Sequence, residues 1–172
     1  MHMPNNEAGS SNKLWYIVGG IAVLIILGWI FTRSAGFMAM RAAGVSATPG
    51  ANGAVTYSGA EGSVTVGGGS MPSNWPSDAP GNYAGATIQY SGTSNPQTGK
   101  AGSAVVYTVQ ASAQSVADYY KAQLASKGWT VSATANTGAA TVLSATKDSR
   151  TLGVYIVDAG NGQVSVTTGI EM

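Results

Sequence analysis

The chain has 172 residues, only 9% of them charged, and a formal net charge of +1 at pH 7. That balance lacks the basic face needed to displace counterions, so no nucleic-acid partner is expected. Cysteine is absent and His2 is the one histidine, which excludes disulfides, thiol nucleophiles, Cys/His zinc sites, Ser–His catalysis and a lipidated-cysteine anchor.

Residues 1–13, MHMPNNEAGSSNK, read as a polar N-terminal arm. Residues 14–32, LWYIVGGIAVLIILGWIFT, carry no charge. As a helix this run reaches roughly 28 Å, enough to cross the hydrocarbon core of a bilayer. Trp15, Tyr16, Trp29 and Phe31 lie near its ends, where rings favour the headgroup level, and Lys13 and Arg33 flank it. The reading is an uncleaved transmembrane helix with the lipid bilayer as partner. The competing reading is a cleaved signal peptide, whose apolar region would be shorter. Lys13 and the α-amino group against Glu7, with Arg33 and Arg41 on the other flank, tilt slightly toward a cytoplasmic C-terminus. The short arm and the Gly/Ser/Thr-rich tail favour the opposite orientation. The expected localisation is therefore the plasma membrane, single-pass, with the C-terminal domain extracytoplasmic.

Residues 33–70 read as a flexible Gly-rich stalk with a possible β-hairpin at 55–66, where Val55 and Tyr57 alternate, as do Val64 and Val66; a lone hairpin is marginal in water, so it either docks on the domain or sits as a loose clasp in the stalk. Gly67, Gly68 and Gly69 read as a hinge. Residues 71–86, MPSNWPSDAPGNYAGA, carry Pro72, Pro76 and Pro80 and predict an extended lead-in.

The small domain is expected over 71–172. A strand over 86–91 places Ile88 and Tyr90 on one face. A polar loop follows, containing Asn95-Pro96-Gln97-Thr98-Gly99, which resembles a sorting signal and reads as turn chemistry. A strand over 103–110 sets Val105, Tyr107 and Val109 against Ala104, Val106 and Thr108. The period then changes: Val116, Tyr120 and Leu124, with Ala113 and Ala117, share one face of a helix that Gly128 ends, with Ser112 as its N-cap or, alternatively, Ser115 with Asp118 one turn later. Strands over 129–135, 139–147, 150–158 and 163–170 follow, joined by short turns. On the strand over 150–158, Leu152, Val154 and Ile156 face one way, and Tyr155 and Val157 the other. The fold class is α+β: a transmembrane helix, a stalk, then an antiparallel sheet with one covering helix in the order ββαββββ.

The motifs VTYSGAEGSVTVGG, MPSNWPSDAP and SVADYYKAQLASKGW, with a W-P-x-D-x-P lead-in and a Y-Y-K-x-x-L-x-x-x-G-W helix end, carry a resemblance over roughly residues 50–172. The chain resembles uncharacterised bacterial single-pass membrane proteins with a small extracytoplasmic α+β domain, typical of reduced-genome bacteria. The resemblance implies the fold and supplies no activity, cofactor or catalytic residue.

The acids Asp78, Asp118, Asp148, Asp158 and Glu171 read as solvated turn and cap residues, with no cleft to pair them. No catalytic, metal or cofactor residue is expected. Trp75, Tyr83 and Tyr119 form a candidate aromatic interaction surface for a glycan or peptide; the alternative is that they fill the helix–sheet seam. The expected function is a non-enzymatic, membrane-anchored binding domain at the bacterial cell envelope, with an envelope protein or surface polymer as partner. The alternative is a structural or accessory subunit of a membrane complex.

Overall fold

The computed structural model describes residues 44–60, 62–67, 69–94, 101–138 and 140–172. Its strands are β1 (Ser46–Pro49), β2 (Val55–Gly59), β3 (Gly62–Val66), β4 (Thr87–Ser94), β5 (Gly102–Gln110), β6 (Thr130–Asn136), β7 (Ala140–Lys147), β8 (Arg150–Gly160) and β9 (Gln163–Glu171). One helix, α1 (Ala113–Ser126), separates β5 from β6. All strand pairs are antiparallel, and the nine form one sheet ordered β1-β2-β3-β4-β5-β9-β8-β7-β6.

This corrects the expected fold class. The order ββαββββ describes only the part from Thr87 onward, and the segment expected as a stalk supplies three further strands of the same sheet. The physical reason is that a two-stranded hairpin is marginal in water, whereas β4 offers it an edge. Ser63 Oγ and Thr93 Oγ1 lie 3.0 Å apart across that junction, and Thr56 and Thr65 hydroxyls 2.8 Å apart inside the hairpin. Gly62 makes the approach feasible, because a Cβ there would collide with the Thr93 carbonyl on β4. Gly67, expected in a hinge, is tied to the sheet by its N–H donating to Gln89 O at 3.0 Å.

The membrane reading is corrected as well. Among the described residues no helix is long and apolar enough to cross a membrane. The described helix α1 has 14 residues, too few to span, and packs on the sheet. Residues 1–43, including the arm and the run 14–32 on which the expected single-pass localisation rests, lie outside the described residues, as do Asn95–Gly99. Single-pass plasma-membrane localisation is therefore not supported by the structure.

The helix forms where the period predicts it. Ser112 is extended (φ −80°, ψ 147°) and its Oγ accepts from Ser115 N–H at 3.1 Å. At the other end Gly128 takes φ +77°, and Trp129 N–H and Gly128 N–H close on Leu124 O (2.9 Å) and Ala125 O (3.1 Å). Those two bonds are the Schellman arrangement, which satisfies carbonyls the helix end would orphan. Val116, Ala117, Tyr120 and Leu124 are buried, and α1 lies over β6, β7 and β8.

Alternation gives the sheet two unlike faces. The helix-bearing face holds the core: Val105 and Tyr107 of β5, Leu143 of β7, Leu152 and Ile156 of β8 and Val166 of β9 are almost fully buried. The lead-in closes the rest of this face, with Ala79 buried and Met71, Trp75 and Tyr83 packed against the core. Ser103 Oγ donates to Asn74 Oδ1 at 2.7 Å, fixing the lead-in over β5.

One face assignment changes. Ile88 pairs with Tyr107, but Tyr90 pairs with Val106, because the register shifts between Ile88 and Tyr90. This bulge adds one residue and turns Tyr90 to the opposite face from Ile88.

Candidate interaction surface

Three polar or aromatic clusters sit on the helix-bearing side. The first is the predicted aromatic set. Tyr83 and Tyr119 meet edge to face, 5.2 Å between centroids, and Tyr119 meets Tyr120 at 5.3 Å. The Tyr119 hydroxyl donates to Asn82 O at 3.0 Å, and Trp75 Nε1 donates to Pro80 O at 3.0 Å. Trp75, Tyr83 and Tyr119 are all part-buried against the core. The structure thus brings Tyr83 and Tyr119 together as a seam that fastens the lead-in to α1. Burial pushes the Tyr119 hydroxyl above the usual tyrosine range.

The second cluster centres on Asp78. Arg150 Nη1 and Nη2 donate to its two carboxylate oxygens at 2.8 and 2.7 Å, and Lys147 Nζ donates to Oδ2 at 2.8 Å. Trp129 Nε1 donates to the Asp78 carbonyl at 2.7 Å, and the Arg150 guanidinium lies 5.1 Å from the Trp129 ring centroid. Lys147 Nζ also donates to Lys127 O, at 2.8 Å, at the helix C-terminus. The hydrogen bonds from Arg150, then from Lys147, hold the Asp78 carboxyl well below the usual carboxylate range, and Asp78 in turn raises Arg150. Asp78 is a turn residue whose side chain stays 37% exposed and is also ion-paired, a role the sequence does not suggest. It clamps the lead-in to the helix end and to the β7–β8 turn, using partners 69 and 72 residues away.

The third is a buried hydroxyl chain. Tyr107 and Tyr120 hydroxyls lie 2.9 Å apart, Tyr120 and Thr168 3.1 Å, and Tyr83 N–H donates to Tyr107 at 3.3 Å. Burial pushes Tyr120 far above the usual tyrosine range, and Tyr107 upward as well. These bonds satisfy the polar atoms of the core, and no described carboxylate or histidine joins the chain. Among the described residues no group of three His, Cys, Asp or Glu is placed to hold a metal.

The remaining candidate is the opposite face of the sheet. Among the described residues, both elements that pack on the sheet, α1 and the lead-in, lie on the other side. Here the registers align a tall row across the strands: Tyr155 beside Thr167, Thr167 beside Val106 and Val106 beside Tyr90, with Val142 and Val66 continuing it at either end. Two residues along each strand runs a low row: Gly153, Gly169, Ala104 and Gly92. A ridge and a trough therefore run side by side across four strands. Tyr90 and Tyr155 are exposed at 36% and 39%, while Thr167 between them is only 7% exposed. The two tyrosines stand three strand spacings apart, about 14 Å. On this face the described strands place one charged residue, Glu171, in the outer row beside Gly102 and Thr151. The alternation of β5 and β8 already separates Val106, Tyr155 and Val157 from the core positions. What single-strand patterns do not show is that β9 inserts between β5 and β8 and aligns them.

A protein-family model described as START domain-like matches residues 88–167, just under half of the chain. The match runs from β4 into β9 and so includes α1 and most of the ridge and trough; β1 to β3 and the lead-in lie outside it. It bears on neither membrane anchoring nor bacterial origin. No curated protein and no solved structure matches the chain.

Proposed function

We propose that the chain is a non-enzymatic binding module that engages its partner through the helix-free face of the sheet. The observation that carries this reading is the ridge of Tyr155, Thr167, Val106 and Tyr90, uncharged and left open by the helix and lead-in. The solvated face of an antiparallel sheet ordinarily alternates to polar side chains. Two half-open tyrosines joined by apolar neighbours are instead the composition of a contact surface: large rigid area with a polar tip. The partner's contacting surface is uncharged, because a charged side chain brought onto this ridge would be desolvated with no opposite charge beside it. An uncharged protein patch or a neutral polymer meets that requirement.

The test is site-specific photo-crosslinking in the cells that make the protein. A benzophenone side chain at position 155 or 90 is expected to give a discrete adduct, and the same group at Gln114, exposed on α1, none. Adducts of equal yield from all three positions, or none from 90 and 155, would refute the reading.

A further inference from the structure

We infer that the helix-bearing face holds a peptide groove filled by the chain's own lead-in, and that the ligand it takes in trans is the lead-in of a second copy. This site lies on the opposite side of the sheet from the tyrosine ridge and is independent of it. The lead-in is held as a bound peptide is held. Its main-chain bonds close on itself: Trp75, Ala79 and Ala86 N–H donate to the Pro72, Pro76 and Tyr83 carbonyls. Its ties to the body run through side chains. Lys127 Nζ donates to Ser77 O at 2.9 Å, Trp129 Nε1 to Asp78 O at 2.7 Å and the Tyr119 hydroxyl to Asn82 O at 3.0 Å. Met71, Trp75, Ala79 and Tyr83 recur every fourth residue and pack on the core. Asp78 is received by Arg150 and Lys147. Groove side chains that bond a segment's main chain, apolar anchors at a fixed spacing and one carboxylate met by cations are the parts of peptide recognition. The groove residues named here lie within the 88–167 family match, and the lead-in lies outside it.

The path of the chain permits the exchange. Val66 of β3 pairs with Tyr90 of β4, Gly67 N–H donates to Gln89 O, and β4 begins at Thr87. The segment between Gly67 and Thr87 therefore leaves and rejoins the sheet at one end of β4. A loop with such close ends can swing out while β3 and β4 stay paired. Gly69 and Gly85, near its two ends, take φ +66° and +78° in open space, so the backbone can be re-aimed there at little steric cost. Each copy gives one lead-in and receives one, so association closes at two copies. The bonds made are those seen within a single chain, which is why the occupant is this segment and no other. The tethered lead-in competes with an effective concentration on the order of millimolar. The parent chain is therefore closed on itself when dilute, and exchange is revealed by weakening the contact in cis.

The experiment is sedimentation equilibrium of two full-length variants, Asp78→Arg and Arg150→Asp, run separately and mixed, with the fold checked by circular dichroism and urea midpoint. Each variant alone sets like charges against each other at the groove, in cis and in trans. In the mixture the Asp78 of one chain meets the Arg150 of the other, and the two new residues meet each other. A heterodimer is expected on mixing, at least about tenfold tighter than the self-association of either variant. A second measurement needs no variant: a fluorescein-labelled peptide of residues 71–86 is titrated with the parent chain and read by anisotropy. Saturable binding is expected, with the Asp78→Arg peptide at least about tenfold weaker. Should either variant fail to fold, the peptide titration decides. Folded variants that stay monomeric when mixed overturn the second copy as ligand; if the peptide still binds, the groove stands with another protein's segment as its ligand. Association equal in the separate and mixed samples, as pairing through residues 14–32 would give, overturns the exchange. No binding of the peptide, or equal binding of both peptides, overturns the groove and leaves the lead-in a fixed part of the fold.

Discussion

Tyr120→Phe tests whether the buried hydroxyl chain holds the core together or merely occupies it. The substitution deletes one oxygen and changes the packed shape little. Two bonds go with it, to Tyr107 at 2.9 Å and Thr168 at 3.1 Å. Each net hydrogen bond contributes about 1 kcal/mol, and a buried hydroxyl left without a partner costs about 1–3 kcal/mol. Against this, the phenylalanine no longer has to desolvate a hydroxyl of its own. Tyr107 keeps the N–H of Tyr83 as a donor, so its loss is partial, and Thr168, 1% exposed, has little access to water. The expected destabilisation is about 2 kcal/mol, read by urea unfolding at an unchanged m-value. Thr168→Val, which keeps the shape and removes the other end of the bond, is expected to cost about 1 kcal/mol. The double variant should fall short of the sum by about 0.5–1 kcal/mol, because each single change already breaks the shared bond. Additivity within about 0.3 kcal/mol, or a Tyr120→Phe chain as stable as the parent, would refute the reasoning and reduce the chain of hydroxyls to a geometric coincidence.

Other outcomes follow from the same structure. Asp78 has its carboxyl depressed by Arg150 and Lys147, so its contribution is fully present above the unfolded carboxylate value of about 3.9 and is lost as pH falls toward the lower folded value. The urea midpoint of the parent chain is expected to fall from about pH 5 downward, and Asp78→Asn to flatten that slope; because the side chain is 37% exposed, the difference at pH 7 is held to about 1 kcal/mol or less by solvent screening. Ser112→Ala removes the acceptor for Ser115 N–H and is expected to cost about 1 kcal/mol, with Ser112→Asp retaining most of it. Gly128→Ala would make only ordinary contact with Lys147 Cε and Nζ, 3.9 Å from the new Cβ, but must take φ +77°, so about 1 kcal/mol is expected from backbone strain; an unchanged thermal midpoint would remove the left-handed cap from the account of how α1 ends.

The elements that repeat at short range are legible in the sequence. The helix announces itself through Val116, Tyr120 and Leu124, a serine before it and a glycine after it, because caps and faces depend on neighbours within a turn. Strand faces are legible in β5 and β8 for the same reason. Tyr90 changes face through a single bulged residue, which leaves no mark in the alternation of a segment as short as ATIQYS. The sequence SATP of β1 has no apolar alternation, and it becomes a strand only because β2 offers an edge. The hairpin is legible as a hairpin, but its docking depends on hydroxyls and on a glycine facing β4, some 30 residues on. Asp78 reads as a solvated turn residue because its partners at 147 and 150 are invisible to any local pattern. The aromatic set is legible by type, but main-chain carbonyls at residues 80, 81 and 82 decide what those rings do.

The two edges of the sheet bear on how copies of this chain can meet. β1 has four residues and ends in Pro49, which has no N–H to donate. β6 is longer, uncharged and exposed at all seven positions, and its one irregularity is the bulge between Val131 and Ala133, where the Ser132 hydroxyl turns back to Ser144 O at 3.2 Å. One edge is thus blunted by proline and the other bent, which leaves a short stretch after the bulge for pairing in line. Growth of the sheet across many copies would need both edges, and the proline edge denies it. A contact between faces needs neither edge. It also leaves the core untouched, since every group that holds α1 and the lead-in in place lies on the opposite side. The ridge tyrosines contribute to the sheet through their cross-strand neighbours, Val66 and Val106 for Tyr90 and Val142 and Thr167 for Tyr155, yet they stay 36% and 39% exposed, which leaves both rings available for contact from outside the fold.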